Sequence, residues 1–158
     1  MSYFVTGATG FIGRFLVGNL LKRKGTIHVL VRKDSQKKFD ALAKKMGWDP
    51  KRVVPVHGDM TAPRCGLTAA QIRGLNGKVK HFFHLAAIYD LTADAESQRK
   101  ANVDGTQNAL DLAAALGNGA PSSIVFHHTS SIAAAGLYPG IFREDMFDEA
   151  EGLDDPYL

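Results

Sequence analysis

Residues Thr6 to Gly13 read "TGATGFIG", with glycines at positions 7, 10 and 13. Before them stands a short apolar, β-prone run, "SYFVT". After them comes "FIGRFLVGNLLKRK", apolar at Phe11, Ile12, Phe15, Leu16, Leu20 and Leu21, which is helical spacing. A strand therefore hands over to a helix through a turn crowded with glycine. Gly7 permits the sharp turn off the strand, Gly10 lets backbone amides approach a ligand with no Cβ in the way, and Gly13 lets the helix pack closely on the strand. The helix start beyond them has free N–H groups and the positive end of a dipole, which together suit a diphosphate. The loop is expected to bind a dinucleotide.

The same alternation continues along the chain. The first helix is expected to end with Lys22, Arg23 and Lys24 in its last turn and Gly25 just beyond. "TIHVLVR" reads as a second strand, and "SQKKFDALAKKMG" as a helix capped by Asp34 or Ser35 and stopped by Gly47. "RVVPVHG" is a third strand, its Pro55 favouring a position near a sheet edge, and "KHFFHLAA" a fourth. A long helix is expected from about 94 to 116, ending at Gly117, followed by a fifth strand in "SSIVFHHTSS". Near-continuous apolar strands alternating with helices indicate an α/β fold: a doubly wound parallel sheet, strand order 3-2-1-4-5.

At 158 residues, 45% of them hydrophobic and 22% charged, the chain fits one globular domain. Its longest apolar run is interrupted by Arg14 and Asn19, so no transmembrane helix or signal peptide is expected. The single cysteine, Cys65, excludes a disulfide framework and points to a reducing cytoplasmic setting, where it is read as a packing residue. The net charge of +3 is unevenly placed: Lys22 to Arg52 carries eleven Lys/Arg against three Asp, whereas Arg143 onward carries one Arg against seven acids. No aromatic or recognition-helix pattern accompanies the basic stretch, so nucleic acid is not expected, while a phosphate-bearing small molecule needs only two or three such cations.

The glycine spacing is Gly-x-x-Gly-x-x-Gly, and here a resemblance becomes specific. "VTGATGFIG" resembles the opening of the extended short-chain dehydrogenase/reductases, which include sugar-nucleotide epimerases, 3β-hydroxysteroid dehydrogenases and fatty acyl-CoA or thioester reductases. "HGDM" (His57 to Met60), "HLAA" (His84 to Ala87), "NVDGTQNAL" (Asn102 to Leu110) and "TSSIAAAG" (Thr129 to Gly136) resemble further segments of that family, in order. "VLVR" and "HLAAIYDL" are most similar to the fatty acyl-CoA reductase branch. The resemblance implies a Rossmann sheet whose cofactor contacts include Gly7, Thr9, Gly10, Phe11, Ile12, Gly13, Asp59, Met60, Ala86, Ala87, Asn102 and Thr129.

The end of strand two carries Arg32 and Lys33, where NAD-binding domains usually carry an acid for the ribose hydroxyls. Arg32 offers a fork and a positive charge to a 2′-phosphate, so NADP(H) is expected ahead of NAD(H), although Asp34 could still reach a ribose. For catalysis the resemblance implies a Ser or Thr that hydrogen-bonds the substrate oxygen, a tyrosine acid/base and a lysine four residues after the tyrosine. Ser131 matches the first, with Ser130 as runner-up, and Tyr157, 26 residues further on, matches the second. The matching lysine would fall past Leu158. The expectation is thus residues 1–158 as an incomplete cofactor-binding domain, cut before the later strands and the substrate-binding part and inactive by itself. Its parent would be an oxidoreductase acting on a carbonyl or acyl thioester; the competing expectation is a non-catalytic dinucleotide-binding or sensing module. Asn102 and Thr106, four apart, share a helix face and could anchor a loop or a water. His57, His81, His84, His127 and His128 show no metal-site spacing, so no metal is expected.

Overall fold

The computed structural model describes residues 1–88, 94–118, 123–131 and 135–146. The chain divides into two units, Met1–His128 and Thr129–Leu158. The first holds a five-stranded sheet built from β1 (Ser2–Thr6), β2 (Thr26–Val31), β3 (Val53–His57), β4 (Val79–His84) and β5 (Val125–His128). Every pairing is parallel and the order is β3-β2-β1-β4-β5. β1 is buried at all five positions, because a central parallel strand is covered on both faces. Pro55 lies on the edge strand β3, opposite Val29, where its missing N–H removes no second ladder bond.

Alternation along the strands sorts the core into two layers. Phe4, Phe82 and Phe126 lie side by side on one face, with centroid spacings of 4.8 and 5.1 Å, and Leu112 and Leu116 belong to the same cluster. These two come from α5 (Gly105–Leu116), whose buried Ala109, Leu112, Ala113 and Leu116 recur at helical spacing. On the other face Tyr3, Val5, Ile27 and Val29 form a second cluster with Val17 and Leu20 of α1 (Phe11–Leu20) and Phe39 of α2 (Gln36–Met46). Each fully buried Phe or Leu contributes roughly 1.5–3 kcal/mol of apolar transfer.

Three local features depart from the sequence pattern. α1 ends at Leu20, so Lys22, Arg23 and Lys24 lie outside its last turn. The reason is Arg52, whose guanidinium donates to the carbonyls of Leu21 (2.7 Å), Gly25 (2.9 and 3.1 Å) and Arg23, holding this segment in a turn. Neither Asp34 nor Ser35 caps α2 through its side chain, since Ser35 Oγ donates to Asp34 Oδ1 instead; Gly47 does end that helix. A further helix, α3 (Ala69–Leu75), starts from a reciprocal cap between Thr68 and Gln71.

The expected long helix is interrupted in its winding: α4 (Ala95–Gln98) runs into a π turn, Arg99–Asp104, before α5. Among the described residues no helix is long and apolar enough to cross a membrane. In the second unit, Tyr138 packs edge-on against Phe142 at 5.8 Å and Arg143 pairs with Asp145 at 3.0 Å.

Candidate functional site

Strand order reverses at β1, whose neighbours β2 and β4 are reached through helices on opposite faces, and the carboxyl ends of the strands meet there. The turn after β1 is tight. Gly7 has φ +71°, and a Cβ on it would stand 2.7 Å from the amide nitrogen of Ala86. Gly13, in the first turn of α1, would place a Cβ 2.2 Å from the Gly7 carbonyl oxygen. Gly10 precedes α1 in extended conformation and gives it no side-chain cap, and the first turn contains no acid. The amides at this helix start face no negative side chain of their own, as an anion site requires.

A cavity of about 350 Å³ opens beside this turn. Gly7 and Thr9 form one wall and Ala86, Ile88 and Ala101 another; Asp59, Met60 and Thr61 close the floor, and Arg32, Ser35 and Lys38 stand on the β2 side. A more open depression of about 700 Å³ shares Arg32 and Asp59 and adds Lys33, Asp34 and His57. Of the expected cofactor contacts, the fold brings Gly7, Thr9, Arg32, Asp59, Met60 and Ala86 to the cavity wall. Gly10, Phe11, Ile12, Gly13, Ala87 and Asn102 are not part of it; the Phe11 and Ile12 side chains point to solvent, 72% and 57% exposed. Lys38, which nothing in the sequence sets apart from the other basic residues of its helix, lines it, and so does Ser35.

Among the described residues the only acid on the inner wall is Asp59. Its carboxylate accepts from the Thr61 amide (2.9 Å) and the Thr61 hydroxyl (2.8 Å). The Thr61 amide foremost, then the Thr61 hydroxyl, Arg32 and Lys100, hold its pKa below the ordinary carboxylate range against the opposing effect of burial. Arg32 keeps a loose pairing with Asp34, 3.7 Å apart, both largely exposed. Its charge remains free to meet an anion.

The floor is held from two sides. Asn108 of α5 donates to the Met60 carbonyl at 3.0 Å. From below, Arg64, Cys65 and Gly66 take successive left-handed conformations, φ 50°, 54° and 65°, and bring the Cys65 carbonyl back to the Asp59 amide at 2.8 Å. Burial pushes the Cys65 thiol up to about 12, so it is neutral and packs as a small apolar group.

Asn102 anchors a loop, as its helix position allows: its carboxamide accepts from the Ile88 amide (2.8 Å) and donates to the Ile88 carbonyl (2.9 Å). Thr106 bonds to the Asn102 carbonyl at 2.6 Å. Thr129, Ser130 and Ser131 are exposed and belong to the second unit, and Tyr157 lies outside the described residues. Among the described residues no group of three or more His, Cys, Asp or Glu could hold a metal ion.

Comparison with known proteins agrees with this geometry. The family model described as "Male sterility protein" matches residues 5–156. A linear gramicidin synthase from Brevibacillus parabrevis is 37% identical over 120 residues, 70% of this chain and 2% of that protein. The terminal R domain from the myxalamid PKS-NRPS biosynthetic pathway superposes with a TM-score of 0.71 at 30% identity, over 85% of this chain and 35% of that one. Yeast methylglyoxal/isovaleraldehyde reductase Gre2, solved with NADPH, gives a TM-score of 0.71 at 25% identity, over 87% of this chain and 39% of that one. The chain thus spans a small part of that synthase and little more than a third of each solved reductase.

Proposed function

Because this chain belongs to the male sterility protein family, the fatty acyl-CoA reductase-like branch of the extended short-chain dehydrogenase/reductases, we propose that residues 1–158 are the cofactor-binding part of an NADP(H)-dependent reductase acting on a carbonyl or acyl thioester. The observation that carries the cofactor choice is the β2 side of the cavity. Arg32 and Lys38 stand there beside Ser35, and the one carboxylate among the described residues of the inner wall, Asp59, is already engaged by Thr61. Two cations beside the cavity suit a 2′-phosphate better than a 2′-hydroxyl, and the Arg32–Asp34 pairing is loose enough, at 3.7 Å, to yield to a phosphate.

The space fits the group. Gly7 lines the cavity, and a Cβ there or at Gly13 would run into backbone, so only glycine lets the turn after β1 and the start of α1 stand this close to the Leu85–Ala86 segment and to each other. Bound there, the nicotinamide nucleotide supplies the hydride. The chain's own part is to hold it: the glycine turn toward the diphosphate, Asp59 and Met60 along the adenine side, Ala86 and Ala87 along the strand-four side. Asn102 acts by fixing Ile88.

For the proton, Ser131 is assigned to hold the substrate oxygen and Tyr157 to deliver or accept a proton there. A free phenol has a pKa of about 10 and needs a neighbouring cation to work near neutrality. By themselves, these 158 residues are proposed to bind dinucleotide with negligible turnover. A lone, fully buried cysteine is compatible with a reducing cytoplasmic setting.

A calorimetric titration of the 158-residue chain with NADPH and, separately, NADH tests the reading. NADPH is expected to bind at least about tenfold more tightly, a difference of about 1.4 kcal/mol. Equal affinity or a preference for NADH would refute the 2′-phosphate assignment, and binding of neither would refute the cofactor site.

A further inference from the structure

His84 ends β4 with its side chain buried, 1% exposed. One ring nitrogen, Nδ1, lies 2.9 Å from Thr6 Oγ1; the other, Nε2, lies 3.2 Å from Thr106 Oγ1. Thr6 is the register partner of His84 on β1, and Thr106 sits on α5, so one imidazole links the central strand to the helix covering it. Neither His84 nor either threonine is part of the cavity wall described above.

The proton positions follow from counting. A threonine hydroxyl has one proton to give and two lone pairs to accept with. Thr6 Oγ1 already accepts from the amides of Leu85 and Ala86, each at 3.2 Å. Its proton is therefore what it can offer His84, and Nδ1 must be bare. The ring proton then sits on Nε2 and is donated to Thr106 Oγ1, which donates in turn to the Asn102 carbonyl at 2.6 Å. Every group in the row from Thr6 to Asn102 is satisfied in one direction only. An imidazolium would set two protons against each other at Thr6. Burial first, and His128 second, keep the ring pKa down, so the neutral form is the resident one.

The row ends at two points of one cavity wall, Ala86 and Ile88. At one end, Thr6 fixes the amides of Leu85 and Ala86, against which Gly7 is packed so closely that no Cβ could enter. At the other, Asn102 clamps Ile88. We infer that His84 is a positioning residue for the dinucleotide: held as the Nε2–H tautomer between Thr6 and Thr106, it sets the gap between the glycine turn and the segment from Leu85 to Ile88. This rests on the cofactor reading given above, but the tautomer and the register of the two loops do not.

The first arm of the test uses the 158-residue chain labelled with ¹⁵N at histidine, in a long-range proton–nitrogen correlation spectrum. His84 is expected to show a bare Nδ1 and a protonated Nε2 at neutral pH, with Thr6→Val shifting the Nδ1 resonance; a protonated Nδ1 overturns the inference. In the second arm, NADPH is titrated into His84→Asn, which keeps an acceptor near the place of Nδ1, and His84→Phe, which keeps neither bond. His84→Phe is expected to lose about tenfold in affinity while melting cooperatively, with His84→Asn within about threefold of the parent. Unchanged affinity in a folded His84→Phe overturns the inference. Should His84→Phe not fold, His84→Gln, which reaches only Thr106, replaces it, and equal affinity of the Gln and Asn variants overturns it. If the parent chain binds neither NADPH nor NADH, the cofactor reading fails on its own. The positioning is then read from the Gly7 and Ala86 amide resonances, expected to move in His84→Gln and stay in His84→Asn; amides that stay in both overturn it.

Discussion

Asn108, in the first turn of α5, donates its side-chain amide to the backbone carbonyl of Met60 at 3.0 Å, across a sequence separation of 48 residues. This bond fixes the floor of the cavity to the helix that covers the sheet, and nearby the Met60 side chain packs so closely on Gly105 that a Cβ there would meet it at 2.7 Å. Asn108→Ala is expected to destabilise the chain by about 1–2 kcal/mol, since the Met60 carbonyl loses a half-buried partner. It should also weaken dinucleotide binding several-fold. Denaturant melts and calorimetry on the same preparation check both, and full retention of affinity would show that the floor holds its shape without this tie.

Two glycines of α1 are expected to respond in opposite directions to alanine. A Cβ at Gly13 would stand 2.2 Å from the Gly7 carbonyl oxygen, which is backbone and has nowhere to go. Gly13→Ala should therefore cost more than about 3 kcal/mol or prevent folding. At Gly18 a Cβ meets nothing within 4 Å, so Gly18→Ala should stabilise by about 0.5–1 kcal/mol through helix propensity. Thermal melts of the two variants decide, and a stable Gly13→Ala would mean that the helix can slide away from the strand.

Charge reversal on the β2 side of the cavity separates the two dinucleotides. Arg32→Glu and Lys38→Glu are each expected to reduce NADPH affinity by about tenfold or more, whereas NADH affinity should change by less than about threefold. Paired titrations read the ratio. Equal losses for both ligands would place the two cations away from the 2′ position.

Acid should loosen the fold through His84. Burial, followed by His128, lowers its pKa from 6.5 to about 4 in the folded chain. Between these values the unfolded chain binds more protons, so stability is fully present above pH 6.5 and falls as the pH drops toward about 4. His84→Asn cannot titrate and should show a flatter decline over that window. Melting temperatures across that window, compared between parent and variant, isolate this contribution; parallel curves would assign the acid sensitivity to other groups.

The sheet was legible because its strands announce themselves: "SYFVT", "TIHVLVR" and "KHFFHLAA" are apolar almost throughout, as strands covered on both faces must be. Pro55 marked the edge for the same local reason. The end of α1 was not legible, because what holds the turn after Leu20 is Arg52, a residue on the approach to β3. α3 carried a readable start in Thr68-Ala-Ala-Gln71, but only seven residues follow Thr68 before the helix ends, too few for a periodic pattern to stand out.

In the site, Gly7, Arg32 and Asp59 follow from backbone need and charge at fixed places after strands. Lys38 does not: in sequence it is one of several lysines on a basic helix, and only the turn from Lys33 to Ser35 brings it round to the cavity. Asn108 lay inside a quoted motif without a role, since its partner is a backbone carbonyl that no sequence pattern marks.

Arg52 has a further meaning for how the molecule holds together in time. The carbonyls of Leu21, Arg23 and Gly25 find their donor only when the chain leading into β3 has arrived beside β2. The close of α1 and the outermost strand are thereby one cooperative unit: amides of both should lose their hydrogen-exchange protection together, and the glycine turn at the other end of α1 is shielded from fraying at the sheet's edge by a helix whose far end is already tied down.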